Sequence, residues 1–267
     1  MKFVAAGLTD PGQVRKNNED NYWVDPDLGL LIVADGMGGH ASGEVASQMA
    51  VDLVKAQVAN GLKTGKIPAM GEKPLHLSMR AHLLAVSLRM ANEVVYEASQ
   101  SRAENKGMGT TIVAVLADRK SFAVAHVGDS RLYLHRGGKL RQLTRDHSVV
   151  AEQVAKGLLT PEQAEQSEIK NVLTRALGVG PEVEVDVDEQ SLRADDVLLL
   201  CTDGLPRMAD DAVIQDVLAH STDPLEICNA LIKIANERGG KDNVTVAVAR
   251  AFASGILEKI VGRFKRA

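Results

Sequence analysis

Several things are scarce in this sequence. Only two cysteines stand among its 267 residues, aromatic side chains make up 3%, and the formal net charge is −4. Two cysteines cannot build a disulfide framework. Cys201 and Cys228 sit in apolar stretches, Leu198-Leu199-Leu200-Cys201 and Ile227-Cys228, as small hydrophobes do. A reducing cytoplasm is therefore the expected compartment. Few aromatics argue against a base-stacking nucleic-acid surface, and the mildly acidic balance supplies no basic footprint, so nucleic acid is not an expected partner. No apolar run approaches a membrane span, and Met1 to Gly7 turns polar too soon for a signal peptide. There is no internal repeat and no low-complexity tract. The remaining composition, 45% hydrophobic and 25% charged, is that of a globular chain able to bury a sizeable core.

β-branched, apolar runs predict strands at Leu30–Ala34, Thr111–Ala117, Phe122–Val127, Arg131–His135, Val197–Cys201 and Val244–Ala249. Gly137-Gly138 between Leu132–Leu134 and Leu140–Leu143 predicts a hairpin, because glycine reaches positive φ without steric cost. Helical spacing predicts one helix burying Val45, Met49, Leu53 and Ala56, flanked by Ala46, Ala50, Val54 and Val58. A second carries Met79, Leu83, Val86, Met90 and Val94. A third is capped by Asp223, starts at Pro224, buries Ile227, Leu231 and Ala235, and stops at Gly239. Residues 60–74 read as a surface loop and 149–171 as a polar, weakly helical excursion. Grouped strands with long helices inserted between them predict an α+β fold of antiparallel sheets covered by helices.

Acidic turns punctuate this frame. Asp35 follows the run Leu30–Ala34, Asp203 follows Val197–Cys201, and Asp242 precedes Val244-Thr245-Val246, so each acid lies at a strand end. If those strands are neighbours, the carboxylates converge and repel unless a cation lies between them. Hard divalent ions such as Mg²⁺ or Mn²⁺ suit an all-oxygen ligand set. Gly36, lacking a side chain, lets its carbonyl approach such an ion. A single Asp-Gly pair is more often an ordinary turn; the joint pattern carries the argument.

The ordered motifs are Arg15-Lys16-Asn17-Asn18-Glu19-Asp20, Asp35-Gly36-Met37-Gly38-Gly39-His40, Gly107-Met108-Gly109-Thr110-Thr111, Val127-Gly128-Asp129-Ser130-Arg131, Leu143-Thr144-Arg145-Asp146-His147-Ser148, Thr202-Asp203-Gly204-Leu205 and Asp242-Asn243-Val244-Thr245. Together they resemble the PPM (PP2C-type) family of Mn²⁺/Mg²⁺-dependent serine/threonine protein phosphatases in its bacterial form. The resemblance implies a β-sandwich of two antiparallel sheets flanked by α-helices on both sides. It implies that Asp35 bridges two core ions with the Gly36 carbonyl on one, and that Asp203 and Asp242 hold the other. Asp20, with Glu19 as an accessory, acts through bound water, and Arg15 clamps the phosphate. Asp129 contributes to a weaker third ion, and Asn243 supports Asp242. The implied chemistry is direct attack of a metal-bridging hydroxide on phosphoserine or phosphothreonine, with Arg15, Asp35, Asp203 and Asp242 assigned to catalysis. Phosphorylated proteins are the expected partners, and a serine/threonine kinase the activity opposed.

Met37 stands where many relatives place a proton-donating histidine. His40 is one alternative donor and bound water the other. Residues 1–250 are expected to form the phosphatase domain of a monomer, and 251–267 a basic, amphipathic tail. Stable membrane contact by that tail is not expected, since a single short helix binds lipid weakly.

Overall fold

The computed structural model describes residues 1–38, 42–70, 77–101 and 103–253. Among them run strands β1 (Lys2–Asp10), β2 (Asp20–Asp25), β3 (Leu30–Met37), β4 (Gly109–Thr110), β5 (Ile112–Ala117), β6 (Ser121–Val127), β7 (Arg131–Arg136), β8 (Lys139–Gln142), β9 (Asp186–Ser191), β10 (Val197–Cys201) and β11 (Val244–Phe252). The helices are α1 (Ser42–Thr64), α2 (Met79–Ser101), α3 (Val149–Ala155), α4 (Pro161–Glu165), α5 (Asp211–His220) and α6 (Pro224–Glu237). One antiparallel sheet has the order β1-β11-β10-β7-β8, the other β2-β3-β5-β6-β9, with β4 paired to β3.

Three apolar layers hold this together, and the period-2 alternation of strands sorts side chains between them. Leu31, Val33, Val113, Val115, Leu198, Leu200, Ala247 and Ala249 fill the space between the sheets. The alternate residues Leu30, Ile32, Ala34, Ile112, Ala114 and Leu116 face α1 and α2. Val197, Leu199, Cys201, Val246 and Val248 face Ile214 and Leu218 of α5 and Ile227 and Leu231 of α6. Strands buried on both faces read as continuous apolar runs, which is why these strands were legible as such.

Three expectations need correction. The buried stripe of α1 is Ala46, Ala50, Val54 and Val58, whereas Val45 is 41% exposed and Ala56 is exposed. Small side chains let α1 sit close against β3, and the bulkier Met49 and Leu53 pack along its flanks. On α2, Met79 and Val94 are exposed, while the whole stretch Ala81–Leu88 is buried. The loop expected from 60 begins later, because α1 continues to Thr64. The excursion at 149–171 contains α3 and α4, each begun by a side-chain cap. Ser148 accepts from the Ala151 N–H and Thr160 from the Gln163 N–H. α6 has the expected Asp223 cap, Pro224 start and Gly239 stop, the last at φ 124°.

Candidate metal centre

The site forms at the seam where one end of each sheet meets the other. Asp20 opens β2 directly opposite Asp35 of β3. Asp203 follows β10, Asp242 precedes β11, and Asp129 lies in the turn between β6 and β7. The strand ends thus bring together acids separated by more than two hundred residues.

Asp20 is 4% exposed and is held from the opposite sheet. Its Oδ2 accepts from the hydroxyls of Thr202 (2.9 Å) and Thr245 (2.7 Å). Thr245 Oγ1 lies 2.6 Å from Thr9 Oγ1, which in turn accepts from Asn18 Nδ2 at 2.8 Å. The Thr245 proton is committed to Asp20, so the chain of donors runs Asn18, Thr9, Thr245, Asp20. This leaves Asp20 Oδ1 buried with no hydrogen-bond partner, and Asp203 Oδ1 is in the same condition. Buried polar atoms are rarely left this way, and two carboxylate oxygens so placed fit a cation rather than a proton donor.

Asp35 is fixed through its backbone. Its N–H donates to Thr111 Oγ1 (3.1 Å), and its carbonyl accepts from the Thr110 hydroxyl and the Thr111 N–H, both at 2.8 Å. Thr111 Oγ1 also lies 2.7 Å from Ser130 Oγ, tying β3 to the Asp129 turn. Gly36 is required by packing as well as by any carbonyl role. A Cβ there would meet the Gly43 carbonyl oxygen at 2.1 Å and the Glu19 carbonyl oxygen at 2.6 Å. Gly128 adopts φ 106°, and a Cβ on it would strike Thr111 at 2.5 Å, so the turn that carries Asp129 needs glycine.

Electrostatics follow from burial and crowding. Asp20 is pushed up to about 7, by burial first and then by Asp203 and Asp242, against its threonine hydrogen bonds. Burial, with Asp203 and Asp146, raises Asp129 to about 7. Asp203 rises to about 6 through burial, opposed by Arg207 and abetted by Asp242. Asp35 lies well above the usual carboxylate range through burial and the neighbouring Asp20, Asp203 and Asp129. Burial likewise raises Glu19, against Arg15. Acids this crowded are stabilised by positive charge placed among them.

Among the described residues two arginines pair with acids of the cluster. Arg15 is 54% exposed at the mouth and forks onto Asp242, Nε to Oδ1 and Nη2 to Oδ2, each at 2.9 Å. Arg207, which sequence reasoning missed, pairs through Nη2 with Asp203 Oδ2 and approaches Asp242 Oδ2 with Nη1 at 3.3 Å. Its i,i+4 spacing from an Asp was the available signal. Thr9 and Thr245 were also missed; hydroxyls that serve across two sheets leave no local pattern. The Asn243 side chain does not orient Asp242. It accepts from the Glu19 N–H (2.8 Å) and donates to the carbonyls of Pro11 and Asn17, so it latches the loop that carries Arg15. Only its backbone N–H reaches Asp242 Oδ1, at 3.0 Å. His40 lies outside the described residues.

A second group, His126, His147 and Asp186, offers ligand atoms within 4.8 Å of one another. The Gly128 N–H donates to His147 Nδ1 at 3.1 Å, so the ring carries its proton on Nε2, 3.3 Å from Asp186 Oδ2. With Nδ1 accepting from Gly128 and Nε2 protonated beside Asp186, His147 braces the Asp129 turn and has no lone pair free for a cation. His126 stacks on it at 4.7 Å and donates to the Arg145 carbonyl at 2.9 Å. Burial holds both rings below the ordinary histidine range.

The model of the protein phosphatase 2C family matches residues 13–244, and the chain belongs to that family. It is 39% identical over 241 residues to the serine/threonine phosphatase stp of Listeria welshimeri, covering 89% of this chain and 92% of that one. Protein phosphatase PhpP of Streptococcus pneumoniae is 37% identical over 245 residues, with 90% and 94% covered. Among solved structures, the Mycobacterium tuberculosis serine/threonine phosphatase PstP/Ppp superposes with a TM-score of 0.83 at 34% identity, covering 95% of this chain and all of that one. The catalytic domain of PstP in complex with two manganese ions gives 0.81 at 34% identity, with 94% and 99% covered.

Proposed function

We infer that this chain is a Mn²⁺- or Mg²⁺-dependent serine/threonine protein phosphatase. The observation that carries the reading is the convergence of Asp20, Asp35 and Asp203, with two partnerless buried oxygens, beside an arginine at the mouth. In this reading Asp35 would serve both core cations and the Gly36 carbonyl one of them. Asp203 and Asp242 would hold the other, Asp20 and Glu19 would act through water, and Asp129 would serve a weaker third. When bound, such cations lower the pKa of water and neutralise phosphoryl charge.

The chain's own groups do the rest. Thr202 and Thr245 keep Asp20 Oδ2 occupied, so that Oδ1 faces the cluster. Arg15 presents a planar fork of donors matched to phosphate oxygens and must exchange Asp242 for the substrate. No thiol competes as nucleophile, because burial pushes Cys201 up to about 12. Residues 1–250 act as the phosphatase domain and 251–267 as a basic tail, described only as far as residue 253. Among the described residues no helix is long and apolar enough to cross a membrane. The reading is completed by a cytoplasmic monomer that opposes a serine/threonine kinase.

Hydrolysis of p-nitrophenyl phosphate and of a phosphothreonine peptide by the purified chain tests it. Both should be stimulated by Mn²⁺, and the phosphopeptide should have a higher kcat/KM than phosphorylated metabolites. No Mn²⁺-dependent turnover of either substrate would sink the assignment.

A further inference from the structure

Arg207 has no role in the phosphatase reading so far, yet its side chain lies among the acids. The turn after β10 puts it there. The Arg207 N–H donates to the Asp203 carbonyl at 3.1 Å and the Ala209 N–H to the Leu205 carbonyl at 2.9 Å, one helical turn that stacks side chains 203 and 207. Arg238 Nη1 anchors the turn by donating to the Met208 carbonyl at 3.1 Å. The guanidinium then joins Asp203 Oδ2 to Asp242 Oδ2. Asp242 is the more heavily engaged acid, since its two oxygens also take Arg15 Nε, Arg15 Nη2 and the Asn243 N–H. Asp203, by contrast, keeps Oδ1 buried and without a partner. A cation held jointly by this pair must therefore compete with Arg207 for Asp242 while sharing Asp203 with it.

Resting on the metal-centre reading above, we propose that Arg207 is a built-in counter-cation of the Asp203–Asp242 pair, which holds the two acids together and weakens divalent-ion binding there. Like charges close together in a poorly screened site oppose one another, so the guanidinium lowers metal affinity. It also supplies the charge that keeps these partly buried carboxylates together when no ion does so. Arg207 is thus a positioning residue that sets the Mn²⁺ concentration at which the site fills.

The test is calorimetric titration of the full chain with MnCl₂, alongside thermal melts in chelator and in saturating Mn²⁺. Arg207→Gln should bind Mn²⁺ about tenfold more tightly at one site, a change of ~1.4 kcal/mol. Its Tm should fall in chelator and match the wild type in saturating Mn²⁺. Arg207→Lys keeps the charge but loses the two-pronged reach and should tighten binding about threefold; it decides the matter if Arg207→Gln does not fold without metal. Unchanged or weaker Mn²⁺ affinity in a folded variant overturns the proposal, as does a Tm deficit that persists in saturating Mn²⁺. Asp203→Asn separates the two readings. If it binds Mn²⁺ like the wild type, the metal centre itself is misplaced. If it loses Mn²⁺ while Arg207→Gln is unchanged, only the role of Arg207 fails.

Discussion

Strand β10 carries an acid beyond each end, and the two are treated differently. Asp196, immediately before the strand, is 1% exposed and fully matched. Arg136 reaches both its oxygens, Nε to Oδ1 at 2.7 Å and Nη2 to Oδ2 at 2.6 Å, and the Arg193 N–H adds a third bond at 2.7 Å. Asp203, just past the other end, lies near Asp20, Asp35, Asp129 and Asp242, and among the described residues only Arg15 and Arg207 pair directly with acids of this cluster. One end closes its charge with protein alone. The other gathers more carboxylate than guanidinium and leaves two oxygens without partners. A buried acid with its own arginine is architecture, whereas buried acids in excess of arginine mark a place built for a cation.

The sharpest break of this contrast is at the acid-rich end. Asp35→Asn or Asp203→Asn should each lower kcat by about 10³-fold or more, since removing one fixed charge-stabilising group costs on that order. Circular dichroism and Tm should stay close to wild type. Normal turnover in either variant at limiting Mn²⁺ would remove the distinction between the two ends. At the matched end, Arg136→Ala leaves Asp196 buried and uncompensated. It should cost ~3 kcal/mol of stability in urea unfolding, with kcat unchanged below the transition. Mn²⁺ at about 100-fold over its Kd should add ~2.7 kcal/mol, removable by EDTA, and should add the same amount in Arg136→Ala. Different increments would mean the two ends are coupled. The smallest effect is expected from Arg15→Ala, a rise in KM of about tenfold, ~1.4 kcal/mol, with little change in kcat. An unchanged KM would argue against the phosphate fork.

The strands that form the sandwich interior were readable because burial on both faces leaves unbroken apolar runs, as in Leu30–Ala34 and Val197–Cys201. Of the edge strands, β8 was betrayed by its Gly-Gly hairpin, but β1, β2 and β9 were not legible. β9, Asp-Val-Asp-Glu-Gln-Ser, is too polar to announce itself, and its place is set by pairing with β6. β1, ending in Gly-Leu-Thr-Asp, is half-buried and lies on the rim of its sheet. The α1 error has a similar origin. Val45, Met49 and Leu53 form an apolar stripe as regular as Ala46, Ala50 and Val54, and only the nearness of β3 selects the smaller one. At the site, Asp35, Asp203 and Asp242 were visible as acids at strand ends and Asp20 through the resemblance of its motif, and the structure draws them together. Arg207 left only the weak signal of its i,i+4 spacing from Asp203, and the Thr245–Thr9–Asn18 relay left none, since it acts through groups distant in sequence.

The sequence alone determined which residue types stand at the strand ends, where the apolar runs lie and which motif order they follow, because these are local properties of the chain. Only the tertiary structure decided which carboxylate oxygens are buried without a partner, and that Arg136 satisfies Asp196 while Arg207 must be shared between Asp203 and Asp242. The reason is physical. Desolvation and Coulomb energy depend on distances between groups, and here those distances are set by how two sheets close on each other.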